Sequence, residues 1–174
     1  KTQIKSFKTI DVREVVKRDL ALRYDSSSGY LGTNVSTGTE ILKVSPYDRI
    51  IIMRKSGIYN VCDVPEKIFV DKGMWYCGLS DKEELSKVLF TVIFRDIDTK
   101  YCFIKRCRIG QFILNRDYQI MPDNCELLHV DTRDTFQFIL KYYKKPRMKI
   151  FEETFRAHDY EEKGLKTQGV RLDR

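Results

Sequence analysis

Apolar and polar positions alternate in short runs along most of this chain. Phe136, Phe138, Leu140 and Tyr142 alternate with Gln137, Ile139, Lys141 and Tyr143, the period of two expected of a half-buried strand. Residues 49–54 hold Ile50, Ile51, Ile52 and Met53 in succession, which predicts a strand covered on both faces. Polar or glycine-bearing turns separate the runs at 25–29, 55–57, 71–73 and 96–100. The pattern therefore predicts strands at 20–24 and 30–35, at 49–54 and 58–62, and short ones at 67–70 and 74–79. Further strands follow from 84 through 88 to 95 and from 101 to 109, at 112–114 and 118–121, and at 136–143. Pro65 ends one ladder, having no N–H to give it. Ahead of the strands, Asp11 and Glu14 stand at capping-box spacing and Val12, Val15 and Val16 share a face, predicting a short helix over 11–17.

One short motif, read as an apolar strand, recurs. Glu40-Ile41-Leu42-Lys43-Val44 returns as Glu84-Leu85-Ser86-Lys87-Val88 and as Glu126-Leu127-Leu128-His129-Val130. A spacing of about 43 residues suits a propeller-type repeat with one multi-stranded sheet per blade. Each copy precedes a strand-turn-strand pair, and the opening hairpin brings the hairpin units to four. The expectation is an all-β chain forming a propeller-like array of about four blades, each packing on its neighbours. Residues 1–18 read as a lead-in with a short helix from an upstream region, and 19–174 as the domain. The alternative is three similar edge strands in an ordinary β-domain.

Composition narrows the partners. The chain has 174 residues, 42% of them hydrophobic and 33% charged, which is globular rather than disordered. Its net charge of +7 favours a polyanionic partner such as nucleic acid. Five cysteines, an odd number without Cys-x-x-Cys, read as reduced and mostly buried thiols of a cytosolic protein. There is no Gly-rich phosphate loop, Gly-x-Ser-x-Gly or His-Glu-x-x-His, so no catalytic residue and no metal site are expected. His129 occupies the place of Lys43 and Lys87 in the other copies of the motif, which suggests the rim rather than a general base.

Several segments together resemble a known family. Residues 10–16, 19–24 and Gly29-Tyr30-Leu31-Gly32 are similar to a short helix, a strand and a Gly-Tyr hairpin. Gly38-Thr39-Glu40-Ile41-Leu42-Lys43-Val44, residues 48–53 and Lys55-Ser56-Gly57-Ile58-Tyr59 are similar to a blade signature. These resemble the C-terminal domain of the A subunit of bacterial type IIA topoisomerases, DNA gyrase and topoisomerase IV. The resemblance implies a β-pinwheel, whose blades exchange a strand, and duplex DNA bent around a basic outer rim. It implies a non-catalytic domain that presents DNA for strand passage in a parent isomerase. That parent uses ATP and Mg2+ through other regions, including the ATPase B subunit. It cleaves DNA with a tyrosine elsewhere in its A subunit. Cytoplasmic, nucleoid-associated localisation follows, with no cofactor in the domain itself. The glycine- and arginine-rich box of gyrase has at best a degenerate copy here, Lys163-Gly164-Leu165-Lys166-Thr167-Gln168-Gly169, which favours the topoisomerase IV type.

Duplex binding without sequence preference needs lysines and arginines set to meet phosphates. The candidates lie in or beside the hairpins: Arg54 and Lys55, then Lys105, Arg106 and Arg108, then Lys141, Lys144, Lys145, Arg147 and Lys149. Lys163, Lys166 and Arg171 follow in and beside the degenerate box. Tyr142 and Tyr143 suit base stacking, although their strand period places at least one in the core. Two other readings stand at this point: a propeller-like protein-interaction domain that docks through apolar edges, and a domain binding single strands or RNA by aromatic stacking.

Overall fold

The computed structural model describes residues 16–143 and 149–172. Most of the helix expected over 11–17 falls outside them, as do Lys144, Lys145 and Arg147. The strands are β1 (Leu20–Asp25), β2 (Tyr30–Gly32), β3 (Thr39–Val44), β4 (Arg49–Arg54), β5 (Ile58–Asp63), β6 (Ile68–Phe69) and β7 (Met74–Leu79). A single helical turn, α1 (Lys82–Leu85), leads into β8 (Leu89–Asp96), β9 (Cys102–Arg108), β10 (Tyr118–Gln119) and β11 (Cys125–Asp131). The chain then forms β12 (Gln137–Lys141), β13 (Glu152–Arg156), a 3-10 turn (Ala157–Asp159) and β14 (Val170–Arg171).

The sheet orders are β3-β1-β2-β6, β7-β4-β5-β10, β11-β8-β9-β14 and β12-β13. Every paired strand runs antiparallel to its neighbour. Each of the first three sheets is a blade built by one rule. A hairpin forms the middle, an outer strand follows on one side, and the other side is closed by a strand from beyond the next hairpin. Thus β6 follows β5 in sequence yet pairs with β2, β10 follows β9 yet pairs with β5, and β14 follows β13 yet pairs with β9. The blades exchange strands, as the pinwheel resemblance implies. Among the described residues the fourth sheet has two strands.

Two-sided burial welds the blades together. Ile50, Ile51, Ile52 and Met53 are all fully buried. Because strand side chains alternate, Ile50 and Ile52 join Leu22, Leu31 and Val44 of the first blade. Ile51 and Met53 face the other way, onto Phe90, Val92, Phe94 and Cys107 of the third blade. From β8, Ile93 points away from that core and packs with Phe138, Leu140 and Phe155 of the fourth. The alternation expected of 136–143 holds in β12, where Phe138 and Leu140 are half-buried and Gln137, Ile139 and Lys141 are exposed.

Two expectations fail. Glu84-Leu85-Ser86-Lys87-Val88 is no strand. Glu83 and Glu84 sit in the first turn of α1, where carboxylates suit a helix N-terminus. The Leu85 amide donates to the Asp81 carbonyl at 2.8 Å, and the Leu85 side chain is buried in the central core. The strand equivalent to β3 and β11 is β7, Met-Trp-Tyr-Cys-Gly-Leu, which carries no trace of the motif. The real repeat is a bulge. Ladder pairing skips Ile41 opposite β1, Trp75 opposite β4 and Leu128 opposite β8. The bulge aligns His129 with Leu42 and Tyr76 rather than with Lys43. Residues 112–114 likewise form a loop, with Phe112 and Leu114 packed on the central core.

The exchanged strand needs a close approach at Gly32. A Cβ there would lie 2.0 Å from the Glu66 carbonyl oxygen and 2.7 Å from the Lys67 Cα. The same contact carries amide bonds from Thr33 to the Pro65 carbonyl and from Asn34 to the Glu66 carbonyl. Gly32→Ala is expected to push β6 off the first blade and cost about 1–3 kcal/mol. A denaturant titration with an unchanged midpoint would refute this account of Gly32.

Candidate nucleic-acid interface

The hairpin turns differ in charge from blade to blade. In the first, the Asp25 carboxylate accepts from the Ser27 amide and from the hydroxyls of Ser27, Ser28 and Thr37 at 2.6–2.9 Å. These bonds, the side-chain ones of Ser27 and Thr37 above all, hold Asp25 well below the usual carboxylate range. The first tip is therefore polar and acidic. The second tip carries Arg54 and Lys55. Arg54 is half-buried, its Nε donating to the Val70 carbonyl at 3.1 Å and its Nη1 lying 3.5 Å from Asp117. Lys55 is exposed.

At the third tip Asp96 organises the turn, accepting from the amides of Asp98 and Thr99 and from the Thr99 hydroxyl. Those bonds, led by the Thr99 amide, lower its pKa. The turn ends at Lys100, which is exposed and has a left-handed φ of 63°. Beside it the Arg171 guanidinium lies 3.3 Å from the centroid of the Tyr101 ring, bringing β14 to the same tip. At the fourth tip Lys141 and Lys149 are exposed, Tyr142 is half-buried with its hydroxyl donating to Glu153, and Tyr143 is 83% exposed. One tyrosine of the pair thus turns inward and the other outward.

Lys105, Arg106 and Arg108 run from the middle of β9 to its end away from the tip, and their expected place on the DNA rim is corrected for the first two. Lys105 is 4% exposed and Arg106 6%. The Lys105 ammonium donates to the Leu165 carbonyl at 3.0 Å, and burial lowers its pKa. Arg106 donates to the carbonyls of Tyr160 and Asp134 and to the Asp134 carboxylate. Arg108, half-buried, donates from Nε to both carboxylate oxygens of Glu162 at 3.0 Å and from Nη1 to the Lys87 carbonyl. The Lys163 amide closes the set by donating to the Arg106 carbonyl. These cations clamp the chain that returns from the fourth blade to β14. Lys163 and Lys166 are exposed on that returning chain.

His129 is half-exposed. Its ring meets Trp75 edge-on at 5.5 Å and Phe136 at 6.1 Å, and its Nε2 lies 3.7 Å from Asp131. Hydrogen bonds from Arg133, more than burial, set Asp131, whose pKa is lowered to about 2. The five thiols are unbridged. Cys107 is buried and the other four are half-buried, more open than expected. Burial pushes Cys62 and Cys107 up to about 11 and Cys77 up to about 12, so these three stay protonated at neutral pH. Among the described residues, no group of three His, Cys, Asp or Glu side chains is placed to hold a metal ion, and no helix is long and apolar enough to cross a membrane.

Sequence reasoning missed Lys100 and Arg95. Arg95, half-buried, donates to Glu126 at 2.5 Å and lines one cavity with Lys100 and Lys141. The signal available was the position of Lys100 at the end of a predicted turn.

The clamp yields an asymmetric expectation. Arg106→Ala takes a charged donor from the carbonyls of Tyr160 and Asp134 and should cost on the order of 3 kcal/mol. Asp134→Ala removes only a carboxylate that is itself 79% exposed and should cost below about 1 kcal/mol. Equal losses for the two in chemical denaturation would refute the clamp.

The family model described as "Topoisomerase C-terminal domain, Bacteroidota" matches residues 21–174. The A subunit of DNA topoisomerase 4 from Borreliella burgdorferi is 25% identical over 128 residues, which is 74% of this chain and 20% of that protein. The chain thus spans about a fifth of the length of that curated relative. No solved structure matches. With strand-exchanged blades and a family match over nearly its whole length, the chain belongs to the topoisomerase C-terminal domain family.

Proposed function

We propose that this chain is the non-catalytic, duplex-DNA binding and bending domain of a type IIA topoisomerase, carried on an A subunit of the topoisomerase IV type and presenting DNA for strand passage. The observation that carries the reading is the placement of exposed cations at the tips of successive blades in a member of this family. Lys55 stands on the second blade, Lys100 and Arg171 on the third, and Lys141 and Lys149 on the fourth. Ammonium and guanidinium groups so placed meet phosphates and need no base contacts. Lys105 and Arg106 are left out of this surface, because both are buried. The unit responsible runs from 19 to 174, with 1–18 leading in. Strand cleavage belongs to the rest of the A subunit, ATP hydrolysis to the B subunit. Those regions supply the Mg2+ and ATP chemistry, and the assembly works on the cytoplasmic nucleoid.

Ile139, Tyr143, Ile150 and Phe151, all exposed on the fourth blade, favour a second reading as a protein-docking domain. Fluorescence anisotropy with a labelled duplex of about 40 base pairs separates the two. Contact with about five phosphates gives log K against log salt a slope of roughly −4 to −5. Energy transfer between end labels should rise on binding, reporting the bend. No binding at low salt would overturn the DNA reading and leave docking.

A further inference from the structure

The cavity between the third and fourth blades joins residues that are far apart in sequence. Arg95, Lys100 and Cys102 come from the β8–β9 tip, and Lys141, Tyr142 and Tyr143 from the end of β12. Its volume is about 360 Å³, enough for one sugar-phosphate unit. The carboxylates nearby are largely engaged. Glu126 holds Arg95, Asp96 is capped by its own turn, Asp98 accepts from Asn124 at 2.6 Å, and Glu153 accepts from Tyr142. Lys141 faces Glu152 across the β12–β13 ladder without forming an ion pair with it. Lys100 and Lys141 are both exposed; Lys100 helps to lower the pKa of the nearby Asp96, and neither lysine forms an ion pair among the described residues.

We infer that this groove is a phosphodiester seat for duplex DNA, in which Lys100 and Lys141, one from each blade, grip a single backbone phosphate. The inference rests on the DNA-binding reading and adds to it a named site. Two lysines lining one pocket with tyrosine walls suit a phosphate and its sugar: the cations meet the oxygens and the rings cover the apolar sugar face. Arg95 is paired with Glu126, so the two together add no net charge to the wall and leave the phosphate to the lysines. Because the seat takes one wall from each blade, bound DNA spans the seam that Ile93, Phe138 and Leu140 pack from within. Cys102, half-buried in the lining, is a built-in reporter.

The test pairs Lys100→Glu/Lys141→Glu with a control of equal charge change on the first blade, Lys43→Glu/Lys67→Glu. The seat variant should lose about tenfold or more in duplex affinity beyond the control, and its salt slope should shrink by roughly 1, the loss of one phosphate contact. In the unaltered protein, duplex should slow alkylation of Cys102, and this protection should vanish in the seat variant. Duplex binding by the unaltered protein with equal losses in the two variants, or with no protection of Cys102, would overturn the seat and leave the DNA-binding reading standing. Failure of the unaltered protein to bind duplex at low salt would overturn both.

Discussion

An isolated two-stranded hairpin is marginal in water, because its edges stay unpaired and one face stays wet. This chain meets that constraint by lending strands. The pairings made by β6 and β10 cover only two residues each, yet each pulls the start of one blade's outer strand against the blade before it. Tyr24 reinforces the first such joint, its hydroxyl donating to the Asp71 carbonyl at 2.7 Å. The apolar cores then form between blades rather than within them, and β4 and β8 must be hydrophobic on both faces.

The same need explains where the charges went. The third blade receives β14 only after the chain has made the fourth hairpin and returned. A polar, glycine-containing stretch from 160 to 169 has little apolar surface with which to hold itself in place. The positive side chains of Lys105, Arg106 and Arg108 do it instead, through carbonyls and Glu162. A run of cations in sequence looks like a phosphate-binding surface; here much of it is internal scaffolding, while Lys100, which ends a turn, faces outward.

The sequence was legible where one physical rule acted alone. Four consecutive apolar residues at 50–53 require cover on both faces, and the turns at 25–29, 55–57 and 96–100 follow from their polar and glycine residues. Resemblance supplied strand exchange, which no local pattern encodes, because β6 and β10 are too short to carry a periodicity. The motif at Glu84 misled because Glu-Leu-x-Lys-Val suits a helical turn as well as a strand, and the carboxylates of Glu83 and Glu84 favour the first turn of a helix. The bulged positions share no residue type: isoleucine, tryptophan and leucine occupy Ile41, Trp75 and Leu128. What repeats there is backbone geometry. The basic surface was half legible, since the sequence shows charge but not whether a carbonyl 60 residues away will claim it.

Strand exchange also governs how such a chain can grow or shrink over evolutionary time. A gene segment spanning all strands of the first sheet also encodes β4 and β5 of its neighbour, so copying one whole sheet tears another. The segment from β4 to β7 behaves differently. Its removal takes away one hairpin, one lent strand and one outer strand, and the next lent strand is free to close the blade upstream. Duplication of the same segment leaves no open edge. Recombination breakpoints that keep the fold therefore fall between an outer strand and the following hairpin, out of step with the sheets by one strand.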